Sequence, residues 1–322
     1  MNIVIVTPAP RHSRAGNRAT AERWARVLRE LGHQVTVATK YDGQRFDLMV
    51  GLHAWRSHDA IVRFHQRWPK ATLFVALTGT DLYGFIHSHP LQTLRSIELA
   101  DELIVLHELA HEALPVAARG KAHVIYQSAE PLPRARKPSS RHFDVCVVGH
   151  LRDEKDPLRT ALAAGGLDAS SRIRVLHYGK AYDQTWAERA MAEMARNHRY
   201  RWLGEVPHWQ VRRAYVRCRL VVLSSEMEGG ANVISEAVVA GLPVLASAIP
   251  GSVGLLGKDY AGYFPVRDTA ALRELLKRAE SDASFLECLR QQCEARASLF
   301  TAERQREAWE MLLSNIGQDI SC

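Results

Sequence analysis

The stretch Leu220–Ala246, LVVLSSEMEGGANVISEAVVAGLPVLA, decides the fold. Leu220–Leu223 is a continuous apolar run that fits a strand buried on both faces. Ser224 and Ser225 form a small polar turn, Glu228 and two glycines follow, and a helix is predicted from near Asn232 to Gly241. Leu242–Ala246 is a second apolar strand. Strand, glycine turn, helix and strand make a βαβ unit, the building block of a doubly wound parallel sheet. Such sheets take ligands just beyond the carboxyl ends of their strands. Two carboxylates stand there. Glu228 lies on the turn, uncrowded by Gly229 and Gly230, and Glu236 lies about one helical turn past Asn232. The amides of a helix N-terminus favour phosphate, so an acid beside them suits a sugar hydroxyl or a ribose. A solvated loop acid at Glu228 and a helix-start charge at Glu236 fit the same local spacing.

Working outward, the 322 residues have room for two α/β domains. A hydrophobic share of 47% with 24% charged residues is a soluble globular composition. No apolar run reaches about 18 residues, so no membrane insertion is expected. The start, MNIVIVTPAP, lacks the basic beginning and long apolar core of a secretory signal. Cys146, Cys218, Cys288, Cys293 and Cys322 are an odd set without metal spacing. Cys146 lies in an apolar strand, which predicts a buried thiol in a reducing, cytoplasmic compartment. The net charge of +7 favours anionic small molecules, and no basic block is dense enough to predict nucleic-acid binding.

Taken in order, Asn2–Val6 is an apolar strand followed by a loop, Thr7–Arg18, that carries Arg11, His12, Arg14, Gly16, Asn17 and Arg18. A helix is predicted over Asn17–Leu31, with Ala21, Trp24, Leu28 and Leu31 at helical spacing, then a strand over Val35–Ala38. A basic loop at a helix start suits an anion, although each arginine singly also fits a solvated surface. Strands follow at Leu48–Val50, Leu73–Leu77, Leu103–Leu106 and Val124–Tyr126. Their polar tips, Thr78-Gly79-Thr80-Asp81, His107 and Gln127-Ser128, would line one sheet edge. EPLPRARKPSS, Glu130–Ser140, reads as a linker. The pattern then restarts with strands at Phe143–Val148, Ile173–His177 and Tyr200–Leu203, and closes with three helices. The expected organisation is a domain over 1–130, a linker over 131–140 and a domain over 141–300, with a cleft between the two domains. The last helix, within 301–322, carries Trp309, Leu312, Leu313 and Ile316 and would pack back on the first domain.

Gly149–Lys155, GHLRDEK, places a glycine, His150, Arg152 and Lys155 between a core strand and a helix, an anion-binding layout. Surface charge fits these bases equally well. There is no GxGxxG fingerprint after Val6 or Val148, no P-loop, no nucleophile elbow and no HExxH. What remains is anion binding plus Glu228 and Glu236.

EGGANVISE followed by AVVAGLPVLAS resembles the signature of retaining glycosyltransferases of family 4, which have the GT-B fold: two Rossmann-like α/β domains facing across a cleft. AGNRATAERWARVLRELGHQVTVAT resembles the family's first glycine loop and helix, and VGHLRDEKDP its second-domain phosphate loop; LGEVP and the YGK turn also match. The resemblance implies that Glu228 contacts the donor sugar near its anomeric carbon. It further implies that Glu236 holds the ribose, and that Lys155, with Arg152, neutralises the leaving diphosphate. The donor site would include Gly149, His150, Gly179, Val206, Gly229, Gly230, Ala231, Asn232 and Val233. Where the family has GRL this chain has GHL, so Arg152 is the candidate for the arginine's role, and the family's paired glycines are here Ala15-Gly16. The acceptor side would comprise Arg11, Gly16, Asn17, Arg18, Thr78, Thr80, Asp81 and His107. Neither a metal nor a separate cofactor is implied, since bases and amides neutralise the diphosphate.

Within the family, GNRATAERWARVLRELGH, TGTDLY and VGHLRDEKDP are similar to the selenosugar synthases of selenoneine biosynthesis. These join selenophosphate to the sugar of UDP-N-acetylglucosamine (UDP-GlcNAc) through a selenium–carbon bond. The basic loop Arg11–Arg18 suits an acceptor that is itself an anion. A sugar or lipid acceptor, an epimerase on the same fold and a non-catalytic sugar-nucleotide binder are the other readings.

Overall fold

Two six-stranded parallel sheets organise the chain in the computed structural model, which describes residues 1–132 and 135–318. The chain divides into two compact units. The first holds Met1–Ser128, the three residues Glu228–Gly230 and the segment that starts at Ala302; the second holds Ala129–Met227 and Ala231–Thr301.

In the first unit the strands are β1 (Asn2–Val6), β2 (Gln34–Ala38), β3 (Leu48–Leu52), β4 (Thr72–Ala76), β5 (Glu102–Val105) and β6 (Ala122–Val124), ordered β2-β1-β3-β4-β5-β6. The central strands are apolar runs buried on both faces, as a parallel sheet covered by helices requires. The sixth strand lies two residues earlier than Val124–Tyr126, because its register with β5 runs from Leu103↔Ala122 to Val105↔Val124. The first helix, Gly16–Glu30, buries Ala21, Trp24, Ala25 and Leu28, and Gly32 ends the turn after it at φ +86. The helix Ala302–Gln318 sets Trp309 edge-on against Trp24, with ring centroids 5.2 Å apart, and buries Leu312 beside it. Leu313 joins the same apolar cluster. The side chain of Ile316, and Cys322, lie outside the described residues.

In the second unit the strands are β7 (Phe143–Val148), β8 (Ile173–Tyr178), β9 (Tyr200–Trp202), β10 (Leu220–Leu223), β11 (Val244–Ser247) and β12 (Tyr263–Phe264), ordered β12-β11-β10-β7-β8-β9. The order reverses between β7 and β10, so the crevice beyond their carboxyl ends is this sheet's topological switch point. The helix between β10 and β11 spans Asn232–Val239. It ends earlier than Gly241, which turns the chain at φ +67. Leu242 is still donating its amide to Ala237, at 2.8 Å, which is why β11 begins only at Val244.

The stretch expected as a linker, 131–140, is in part fastened to the second unit. Lys137 donates its amide to Val216 and Ser139 to Arg217, while the Arg136 guanidinium bonds the carbonyls of Gly241 and Cys218 at 2.8 and 2.7 Å. Prolines exclude helix and sheet ladders but leave carbonyl and guanidinium contacts open. Pro133 and Arg134 of that stretch lie outside the described residues. Cys146, Cys218 and Cys293 are buried free thiols. Among the described residues no helix is long and apolar enough to cross a membrane, and no group of three or more His, Cys, Asp or Glu could hold a metal ion.

Candidate active site

At the switch point of the second sheet, Gly149, His150, Lys155, His177, Ser224 and Ser225 line one hollow. The loop after β7 is held there by backbone pairing that continues past the strand ends. Gly149 donates to the Tyr178 carbonyl at 2.9 Å, Gly179 to Gly204 at 2.8 Å, and Leu151 to Lys180 at 2.9 Å. Gly179 sits so close to Gly149 that a Cβ would overlap its carbonyl, so only glycine fits. Asp153–Lys155 forms one 3-10 turn, closed by Asp156 in the left-handed region at φ +41. The loop after β10 fixes that turn. The Ser224 hydroxyl donates to the Asp156 carbonyl at 2.9 Å and Glu226 donates its amide to Glu154 at 2.9 Å. Lys155 thus reaches the wall of the hollow from a turn braced on two strands.

The charges around it are arranged unevenly. His150 accepts the Lys180 amide on Nδ1 at 3.1 Å, so its neutral ring carries the proton on Nε2. Burial, and then the nearby Arg152, lower its pKa. Arg152 pairs with Glu154 at 3.2 Å. Glu236, on the helix after Ala231, is absent from the hollow's lining. One oxygen lies 3.1 Å from Nε2 of the exposed His208 and the other accepts the hydroxyl of the buried Tyr215 at 3.1 Å. The hydrogen bond to Glu236 raises the pKa of His208. Val206 lies in the turn two residues before His208. Asn232 opens its helix and Val233 follows, with no side-chain cap at Ala231. Glu228 is 9% exposed and groups, with Gly229 and Gly230, in the first unit.

The edge of the first sheet is built differently. Arg18 is buried and pairs with Glu22 at 2.7 Å, one turn along its own helix. Gly16 and Asn17 form the first turn of that helix, and Arg11 is exposed before it. Asp81, expected to face an acceptor, is fully buried. Its carboxylate accepts the amides of Ala54, Thr78 and Leu82 at 2.9, 2.7 and 3.1 Å, and so ties the loop after β3 to the loop after β4. Asp81 therefore shapes the loop and does not present an acid to solvent. His53, at φ +75, reaches Thr80 with Nε2 at 3.0 Å. His107 is also fully buried, 3.0 Å from the Tyr83 hydroxyl, and burial lowers its pKa to about 4.

Sequence reasoning brought out Gly149, His150, Lys155 and Gly179, which the structure gathers, but passed over His177, Tyr200, His208 and Tyr215. One signal was available for His177. Along β8 the buried positions alternate as Ile173, Val175, His177, so an imidazole stands where an apolar side chain is expected.

The family model for glycosyl transferases group 1 matches residues 130–298, just over half of the chain. Among solved structures, a sucrose-phosphate synthase from Thermosynechococcus elongatus is 16% identical, with 99% of each chain covered and a TM-score of 0.79. Anabaena HepE in complex with UDP-glucose is 16% identical over 98% of this chain and all of that one, with a TM-score of 0.78. The lipopolysaccharide outer core galactosyltransferase WaaB, in its apo form, is 14% identical over 98% and 99% of the two chains, at 0.66. With two doubly wound parallel sheets of this order, the chain has the GT-B fold and belongs to the glycosyl transferases group 1 family: it is a glycosyltransferase.

Proposed function

We propose that this enzyme transfers N-acetylglucosamine from UDP-GlcNAc to selenophosphate. The observation that carries the donor half is the hollow at the second switch point, which Gly149, His150 and Lys155 line together. HepE, with the same fold, was solved with UDP-glucose. In this reading Lys155 and Arg152 stabilise the departing diphosphate, Glu236 takes the ribose hydroxyls, and Glu228 faces the sugar. The bond from the anomeric carbon to the diphosphate oxygen breaks, its electron pair leaves with UDP, and a selenium lone pair forms the new carbon–selenium bond. An ionised selenium is a good nucleophile and needs no strong general base. The acceptor half rests on the resemblance of GNRATAERWARVLRELGH and TGTDLY and on the exposed bases Arg11 and Arg14.

A second reading, a neutral sugar or lipid acceptor, is favoured by the Arg18–Glu22 pair, which offsets one of the charges an anion would use. UDP release from UDP-GlcNAc, with and without selenophosphate, decides between them. Release that ignores selenophosphate and responds to a sugar or lipid would establish the second reading. Glu228→Gln should lower turnover at least about 100-fold, the scale on which a group acting at the reaction centre contributes; near-normal turnover would remove Glu228 from that centre.

A further inference from the structure

His177 is a buried imidazole that the proposed mechanism does not use. It is 1% exposed and sits on the core face of β8. Burying an imidazole among apolar neighbours is unfavourable unless both ring nitrogens find partners. Both do. Nε2 lies 3.1 Å from the Gly149 carbonyl and Nδ1 lies 2.9 Å from the Tyr200 hydroxyl. A carbonyl only accepts, so Nε2 carries the proton and donates. Nδ1 is then the acceptor and the Tyr200 hydroxyl donates to it. Burial lowers the pKa of His177 to about 4, so the ring is neutral and this order of donors holds near pH 7. Tyr200 is itself fully buried. The result is a one-way relay, from Tyr200 through His177 to the Gly149 carbonyl.

That carbonyl belongs to the peptide joining Gly149 to His150. The peptide is trans, so the His150 N–H points opposite to the Gly149 C=O. Among the described residues the His150 amide makes no hydrogen bond, and Gly149 and His150 both line the hollow. Gly179 closes the other side of the same carbonyl, where a Cβ would overlap it. We propose that His177 is a positioning residue for the donor's diphosphate: by holding the Gly149 carbonyl inward it fixes the peptide so that the His150 N–H is presented to a phosphate oxygen. This rests on the reading of the hollow as the diphosphate site. The cost of turning the peptide is then met in the core, before any donor arrives, which is how a backbone donor becomes preorganised.

The test compares UDP with uridine, which lacks the diphosphate, by calorimetric titration of the wild type, His177→Leu, His177→Gln and Tyr200→Phe. Gln reaches as far as Nε2 and keeps a donor for the Gly149 carbonyl; Leu keeps volume and removes it. The expected pattern is UDP affinity lowered about tenfold in His177→Leu, uridine affinity within about twofold of wild type, and most of the UDP affinity retained in His177→Gln. Tyr200→Phe should show the same selectivity at smaller size, and it decides the matter if His177→Leu fails to fold. Equal weakening of UDP and uridine, or unchanged UDP affinity in a folded His177→Leu or Tyr200→Phe, would overturn the proposal and leave the donor reading standing. A wild type that binds neither ligand would instead overturn the donor reading, and the proposal with it.

Discussion

The carboxyl edges of the two sheets differ in what their candidate side chains bind. In the first unit the candidate side chains are consumed by their own fold: Asp81 by three backbone amides, Arg18 by Glu22, His107 by burial against Tyr83. In the second unit two side chains bind carbonyls, Ser224 that of Asp156 and His177 that of Gly149, while His150 accepts the Lys180 amide. Among the described residues, the amides of Gly149, Leu151 and Gly179 are spent on backbone pairing but that of His150 is not, and an unspent amide is what an anion needs. A loop held by its amides, as Asp81 holds Thr78 and Leu82, has spent them. Two similar sheets thus differ in which of their candidate polar groups the fold has already used for bracing.

Asp81→Asn carries the largest expected effect. An amide group in place of the carboxylate sets an NH2 against a backbone N–H in a fully buried site. A loss of about 3 kcal/mol of unfolding free energy is expected, read from denaturant midpoints, and a loss under about 0.5 kcal/mol would show that the loops do not depend on Asp81. Lys155→Ala probes the other edge. It should cost roughly 1.5–3 kcal/mol of UDP affinity through one charge-assisted contact while the unfolding midpoint barely moves; the reverse pattern would make Lys155 a structural residue.

The smallest effect concerns His208 and Glu236. The hydrogen bond raises the folded pKa of His208 above the ordinary imidazole value of 6.5, so this contribution to stability is fully present below that pH and disappears as pH rises through the folded pKa. With His208 62% exposed, solvent screening keeps it to about 0.5 kcal/mol. His208→Gln should therefore lower the melting temperature slightly at pH 5.5 and not at pH 9. A difference that is constant with pH would mean that packing, and not charge, is what His208 supplies.

The doubly wound architecture was legible because parallel strands buried on both faces leave apolar runs such as Ile3–Val6, Val145–Val148 and Leu220–Leu223, each followed by glycine or small polar residues. Register was less legible. β11 starts two residues late because Leu242 still serves the preceding helix, and β6 sits where its partner β5 places it. The motif at Gly149–Lys155 was legible because its glycine and bases are adjacent in the chain, and the structure sets Gly149, His150 and Lys155 around one hollow.

The sequence by itself determined the two sheets, the family signature around Glu228 and Glu236, and the loop that carries Lys155. Only the tertiary structure decided what each polar group is bonded to. Asp81 and His177 are each one titratable residue beside the carboxyl end of a strand, yet Asp81 meets amides from two loops and His177 meets a carbonyl 28 residues away. Strand order is a local consequence of hydrophobic pattern and chain connection. Hydrogen-bond partnership depends on which distant backbone group arrives within about 3 Å, and that is set by packing.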